Sequence, residues 1–267
     1  MDRNRFQNTY IVSPGGLADY TAIQAAIDAG HARALTADKP WLVLVYPGHY
    51  AEQLTLYDYV DVKGIGFVAI ENRGDAIIKT AASCRLENLF FEADDDLISP
   101  AVIAGVAGAT LVMKNITYGR LASIGGTFLK LAAGTVTLED CQLDGGFPEV
   151  PVIEQSGGAL NMWRCLVQAN TLLATANGVI KISGGSQDVH HSRIIAATSA
   201  ALHALYFSAV PASTRWLHCS FHAGATAAAI NNASGSSIPA TLGHYAVNYA
   251  RAGAFTGLND VVVDTGV

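Results

Sequence analysis

From residue 84 onward, apolar and polar positions alternate in short runs that recur at a steady interval. CRLENLFFE at 84–92, TLVMKNITYG at 110–119 and TVTLEDCQLDG at 135–145 share one pattern. ALNMWRCLVQA at 159–169, DVHHSRIIAA at 188–197 and TRWLHCSFHAG at 214–224 continue it. Alternation with period two is the mark of a half-buried strand. Aligning the small polar residue near each centre gives Asn88, Asn115, Cys141, Cys165, Ser192 and Cys219, with successive gaps of 27, 26, 24, 27 and 27 residues. Two positions on, that alignment reads Phe90, Thr117, Leu143, Val167, Ile194 and Phe221.

A second strand precedes each unit by eleven to twelve residues, at Ile103-Ala104, Leu129-Lys130, Ile153-Glu154, Ile180-Lys181 and Phe207-Ser208. The first residue of each pair is expected to face inward and the second outward. Gly-rich stretches (GVAGA, AAG, SGG and SGG) separate the strands and suit tight corners. A repeat of this length with two strands and no helical return segment predicts a parallel β-solenoid, whose coils bury their apolar faces only by stacking. A βαβ arrangement would need a helical pattern of 10–15 residues in each return, and none is present. A β-sandwich is the other alternative, but its hairpins give no reason to keep one polar position in register through six units.

The first forty residues read differently. In DYTAIQAAIDAG at 19–30, Ile23, Ala26 and Ile27 form an apolar stripe at helical spacing, with Thr21 as the expected N-cap. A helix there would cover the first coil and block pairing at its open edge. Strands are expected around 41–46, 54–56, 60–62 and 67–70. The chain thus divides into a capping segment at 1–40, coils over 41–231, and a segment at 232–267 expected to break the repeat as an opposite cap or an oligomer contact.

Composition narrows the partners. Only 14% of residues are charged, 51% are hydrophobic, Gly numbers 26, and the formal net charge is -6. With no basic cluster, nucleic acid is not an expected partner. MDRNRFQNTYIV lacks the apolar run of a signal peptide, and no stretch reaches the roughly 20 apolar residues of a membrane span. The apolar segments VIAGVAGA, AATSAALHALYFSAV and AGATAAAI must reach the outside of a slender solenoid in part. Exposed apolar area of that extent favours a homo-oligomer, with a side-by-side trimer as the expectation.

Asp19-Tyr20-Thr21, Ile23-Gln24-Ala25-Ala26-Ile27 and Val45-Tyr46-Pro47-Gly48-His49-Tyr50-Ala51-Glu52, with the repeated coil pattern, resemble the right-handed parallel β-helix family. That family includes pectate lyases, pectin methylesterases and many phage tailspikes. The resemblance implies an all-β, single-stranded right-handed parallel β-helix with a short N-terminal capping helix. Pro47-Gly48-His49-Tyr50-Ala51-Glu52 is similar to the Pro-Gly-x-Tyr-x-Glu segment of pectin methylesterases, which implies a structural role for Glu52. The later aspartate, glutamine and arginine motifs of those enzymes are missing, as are the calcium-binding aspartates and the basic residue of the lyases.

Several groups are candidates for chemistry. Asp140, Asp144 and Glu149, with Glu154 one coil onward, are the carboxylates that could line a lateral groove for glycosidic chemistry, and Trp163 beside Arg164 offers a flat surface for a sugar. Asp94, Asp95 and Asp96 read first as an exposed acidic loop, and next as hard oxygen donors that suit Ca2+. Lys130, Glu154 and Lys181 share one outward offset and predict a charge ladder. His191 and His218 share another, and Cys141 and Cys165 predict stacked internal thiols without a disulfide. The function expected is a non-catalytic structural or adhesive β-helix protein, such as a virion component, that contacts glycans. The alternative is a polysaccharide lyase or glycoside hydrolase.

Overall fold

The computed structural model describes residues 8–16, 18–33, 35–71, 76–80, 82–93, 100–120, 127–145, 150–170, 178–197, 203–222, 230–234, 240–243, 246–247 and 255–256. Short strands alternate through three parallel sheets, so that each circuit of the chain adds one strand to each. Sheet 1 has ten strands, from Thr9–Val12 and Trp41–Val45 to Ala240–Gly243. Sheet 2 runs from Gly48–Ala51 to Ala246–Val247, and sheet 3 from Leu54–Thr55 to Phe255–Thr256, each with nine strands. The fold is an all-β parallel solenoid with one helix, α1 (Ile23–His31), among the described residues.

Alternation explains why the coils stack. In the sheet 1 strand Thr135–Glu139, Val136 and Leu138 are buried while Thr135, Thr137 and Glu139 face outward. The same in-and-out order holds in Ala159–Trp163 and Ser186–His190. The inward residues form a continuous core from Val12 to Ile230. Backbone N–H and C=O groups of the interior strands then pair with the coils above and below. The segment 232–267 adds one further strand to each sheet, in parallel register with the strands before it.

The sequence alignment of the repeat slips once. Lys114 pairs with Glu139 and Glu139 with Trp163, so the residues that follow in register are Asn88, Asn115, Asp140, Arg164, His191 and His218. These six share a positive φ of 49–58°. They form the corner from sheet 1 to sheet 2, a left-handed bend that Asn and Asp tolerate best. Cys141, Cys165, Ser192 and Cys219 stand one position later, and they are buried. Their partners in that column are Leu89 and Ile116, and the inward series of sheet 2 begins with Phe91 and Tyr118 rather than Phe90 and Thr117. In sheet 3 the inward column is Val102, Leu129, Ile153, Ile180 and Leu205. Ile103 therefore pairs with Lys130 on the outer side, and Phe207 lies two positions beyond its expected place.

The corner from sheet 3 to sheet 1 turns on glycine instead. Gly134, Gly158 and Gly185 immediately precede their sheet 1 strands, with φ of 76°, 64° and 76°. A Cβ on Gly158 would lie 2.6 Å from the carbonyl oxygen of Gly134, closer than any real contact. Tyr59 occupies the same place before Val60–Gly64, with φ 65°. A non-glycine residue held there costs about 1–2 kcal/mol.

Helix α1 packs against the first strands of sheet 1 through Ile23, Ala26, Ile27 and Gly30. Thr21 does not cap it. Ala22 is the N-cap and makes no side-chain bond. The Glu52 carboxylate closes the helix instead, accepting from Ile23 N and Gln24 N at 2.8 Å each. Two orphan amides and the positive end of the helix dipole are thereby satisfied by one anion.

Candidate functional site on the outer face of sheet 1

The outer face of sheet 1 carries two columns of side chains, because each strand projects every second residue. The first column reads Lys63, Glu87, Lys114, Glu139, Trp163 and His190. The second, two residues upstream, reads Asp61, Arg85, Val112, Thr137, Asn161, Asp188 and Arg215. In the earlier coils the charges compensate one another. Lys63 lies 2.7 Å from Glu87, and Glu139 forms ion pairs with Lys114 at 3.5 Å and Arg85 at 3.8 Å.

The face changes character at Trp163. Its ring stacks on His190, with centroids 5.4 Å apart and planes within 3°. His190 Nε2 lies 2.9 Å from Asp188 Oδ1, which is also approached by Arg215 Nε at 3.8 Å. A depression of about 470 Å³ lies beside the indole, lined by Val112, Thr137, Glu139, Trp163 and Arg164. Asn161 donates to Thr137 Oγ1 at 3.4 Å across neighbouring coils. The arrangement offers a flat aromatic surface flanked by hydroxyl, carboxylate and guanidinium groups, a chemistry suited to a polyhydroxylated ring.

The corner beside this face holds Asp140 and Arg164. Arg164 Nε donates to Asp140 Oδ1 at 2.6 Å and Nη2 to Oδ2 at 2.9 Å. This fork holds the Asp140 carboxyl below its ordinary range. Further along the same corner His191 and His218 stack at 4.8 Å, as their shared offset predicts.

The other predicted carboxylates do not join them. Asp144 stands on sheet 2 and accepts from Gln168 Nε2 at 2.7 Å. Glu154 stands on sheet 3 in an ion pair with Lys181 at 3.4 Å, as the charge ladder predicts. Glu149, Asp94, Asp95 and Asp96 lie outside the described residues. Among the described residues no three His, Cys, Asp or Glu side chains gather where a metal ion could be held.

The cysteines are free and buried. Cys141 and Cys165 are successive members of one inward column, each donating to backbone carbonyls. The hydrogen bond to Cys165, then burial, pushes the Cys141 thiol up, and burial pushes that of Cys219 up to about 11. Packing, rather than nucleophilic chemistry, accounts for them.

Asp188 and Arg215 are absent from the candidates read in the sequence. The signal was there: both occupy the outward offset of Asn161, two residues before the Trp163 position, at the 27-residue spacing of these coils.

Solved structures of known proteins share this architecture. Pectin methylesterase from Aspergillus niger superposes with a TM-score of 0.58 at 15% identity, over 97% of this chain and 93% of that one. Pectin methylesterase PemA from Erwinia chrysanthemi gives 0.59 at 12% identity, over 92% and 91%. The chain has the pectin lyase-like parallel β-helix fold. No family model matches it, and no curated protein matches it. At these identities the likeness extends to the fold, and chemistry must be argued from the side chains of the β-helix itself.

Proposed function

We propose that this β-helix protein binds polysaccharide along the outer face of sheet 1, displaying that face as a rigid surface. The carrying observation is the Trp163–His190 stack beside the depression lined by Glu139, Thr137 and Arg164. Successive coils repeat at about 4.8 Å, so an extended glycan lying along the axis meets a new row of polar side chains at regular steps. Carbohydrate-named proteins among the structural neighbours are in keeping with this reading. Within it the chain acts by adhesion, in an assembly such as a virion, and side-by-side trimers would cover exposed apolar residues such as Phe67 and Val210.

A catalytic second reading is favoured by one observation. Asp188 bonds the imidazole of His190 on the same face, an arrangement that can orient a general base. The test is titration of tryptophan fluorescence with pectin, alginate and neutral β-glucans, with reducing ends, unsaturated products and released acid followed in the same samples. Binding that falls at least tenfold in Trp163→Ala, without product, is the expected result. Product that disappears in Asp188→Asn would replace adhesion by catalysis, and saturable binding untouched by Trp163→Ala would remove sheet 1 as the site. Light scattering on the same sample reads the assembly, and a monomer defeats the trimer.

A further inference from the structure

A second concavity lies away from this face, where the C-terminal end of α1 meets the sheet 3 to sheet 1 corners of the early coils. Its volume is about 700 Å³, and His31, Tyr57, Asp58, Tyr59, Ser83 and Val106 are among its walls. His31 and Tyr57 stack face to face, with centroids 3.9 Å apart and planes within 11°. Asp58 is held by Ser83 N, which donates to Oδ1 at 2.7 Å. Ser83 Oγ in turn accepts from Thr110 N at 3.1 Å, tying the rim to the next coil. Val106, 46% exposed, supplies an apolar wall.

Tyr59 is the independent observation. It stands where later coils place Gly134, Gly158 and Gly185, and it shares their left-handed backbone. Its N–H donates to Ser83 O at 2.9 Å and its carbonyl accepts from Trp41 N at 2.8 Å, so the conformation is fixed from both sides. Glycine would adopt it freely. A large ring is instead kept in an unfavourable conformation with more than a third of its surface open to solvent. Strain of this kind at the rim of a cleft is a sign of use.

We propose that this cleft is a saccharide subsite, separate from the sheet 1 face, that takes a neutral pyranose. The exposed ring of Tyr59 receives the apolar side of the sugar ring, the stacked His31–Tyr57 pair forms the wall beside it, and the Asp58 carboxylate accepts from ring hydroxyls. Asp58 and His31 are the acid and base among its walls, with no lysine or arginine. A uronate would meet uncompensated repulsion from Asp58, which sets the preference for an uncharged sugar.

The full chain is titrated calorimetrically with neutral disaccharides of galactose, glucose and mannose, and with the uronic acid counterpart of whichever binds. At least one neutral disaccharide is expected to bind, with its uronate at least tenfold weaker and recovered in Asp58→Asn. Tyr59→Gly should weaken binding at least tenfold while the melting temperature stays level or rises, which separates lost contact from lost fold. Trp163→Ala should leave disaccharide binding intact. The proposal is overturned if no neutral disaccharide binds, if the uronate binds as well as its neutral partner, or if Tyr59→Gly changes nothing. Loss in Trp163→Ala would also overturn it, by moving the sugar to sheet 1. Polysaccharide binding to sheet 1 is read separately, so either site can fail while the other stands.

Discussion

Two kinds of left-handed corner in the coils solve one backbone problem with different residues. Between sheets 1 and 2 the bend is taken by Asn88, Asn115, Asp140, Arg164, His191 and His218, whose side chains meet those of adjacent coils. Between sheets 3 and 1 it is taken by Gly134, Gly158 and Gly185, where carbonyl oxygens of the preceding coil close the space a Cβ would need. The lesson is that positive φ alone does not demand glycine. What decides is whether the neighbouring coil leaves room. Where it does, the position becomes a stacked column of side chains, and this is where pairs such as Asp140–Arg164 arise.

Substitutions at three positions test that distinction. Gly158→Ala should be the most damaging, because the methyl group meets the Gly134 carbonyl at 2.6 Å in addition to its unfavourable φ. We expect a loss of about 2–4 kcal/mol, read from the urea unfolding midpoint. A neutral result would mean that the corner relaxes and that sterics do not separate the two bends. Next comes Asn88→Ala, which forfeits the 3.0 Å bond from Asn115 Nδ2 and the tolerance of Asn for this conformation. It should cost about 1–2 kcal/mol, and Asn88→Gly should recover part of the loss. If glycine is as harmful as alanine, the side-chain bond matters and the backbone does not.

The smallest effect belongs to Arg164→Gly, whose left-handed φ suits glycine and whose ion pair is exposed. Its signature is in the pH dependence. The guanidinium lowers the Asp140 pKa in the folded state, so the pair stabilises above the ordinary carboxylate value near ~4. That contribution fades as pH falls below this value, through the depressed pKa. Thermal melts of the parent protein should therefore steepen their decline below about pH 4 relative to Arg164→Gly. Parallel acid limbs would show that the fork contributes nothing.

Much of the architecture is legible in the chain because burial repeats. Val136 and Leu138, or Leu160 and Met162, announce their inward direction by alternation alone, and the Lys130–Glu154–Lys181 and His191–His218 columns follow from spacing. The register slipped where the interval shortens between the second and third coils. Cys141 resembles Asn115 in size and polarity, whereas Asp140 is the residue that shares its bend. The Thr21 cap was misread for a related reason. Local sequence favours a hydroxyl just before the helix, but the carboxylate that serves it comes from Glu52 in the next coil. The site suffered most, since side chains 24 or more residues apart become neighbours here. Asp188 and Arg215 share an offset with Asn161, but only the fold sets Asp188 on the His190 ring, while Asp140, Asp144 and Glu154, close in sequence, were dealt to different sides of the molecule.

The Glu52 cap also orders events in time. At nine residues, α1 is too short to persist alone in water. Its first turn is secured by a residue in the strand-to-strand link after Gly48–Ala51, which exists only once that coil has wound. The lid must therefore close after the coil it covers has formed. Closure of the end of the stack and winding of that coil are thus coupled through one carboxylate, and a chain with Glu52 disengaged offers an end to which another chain could add.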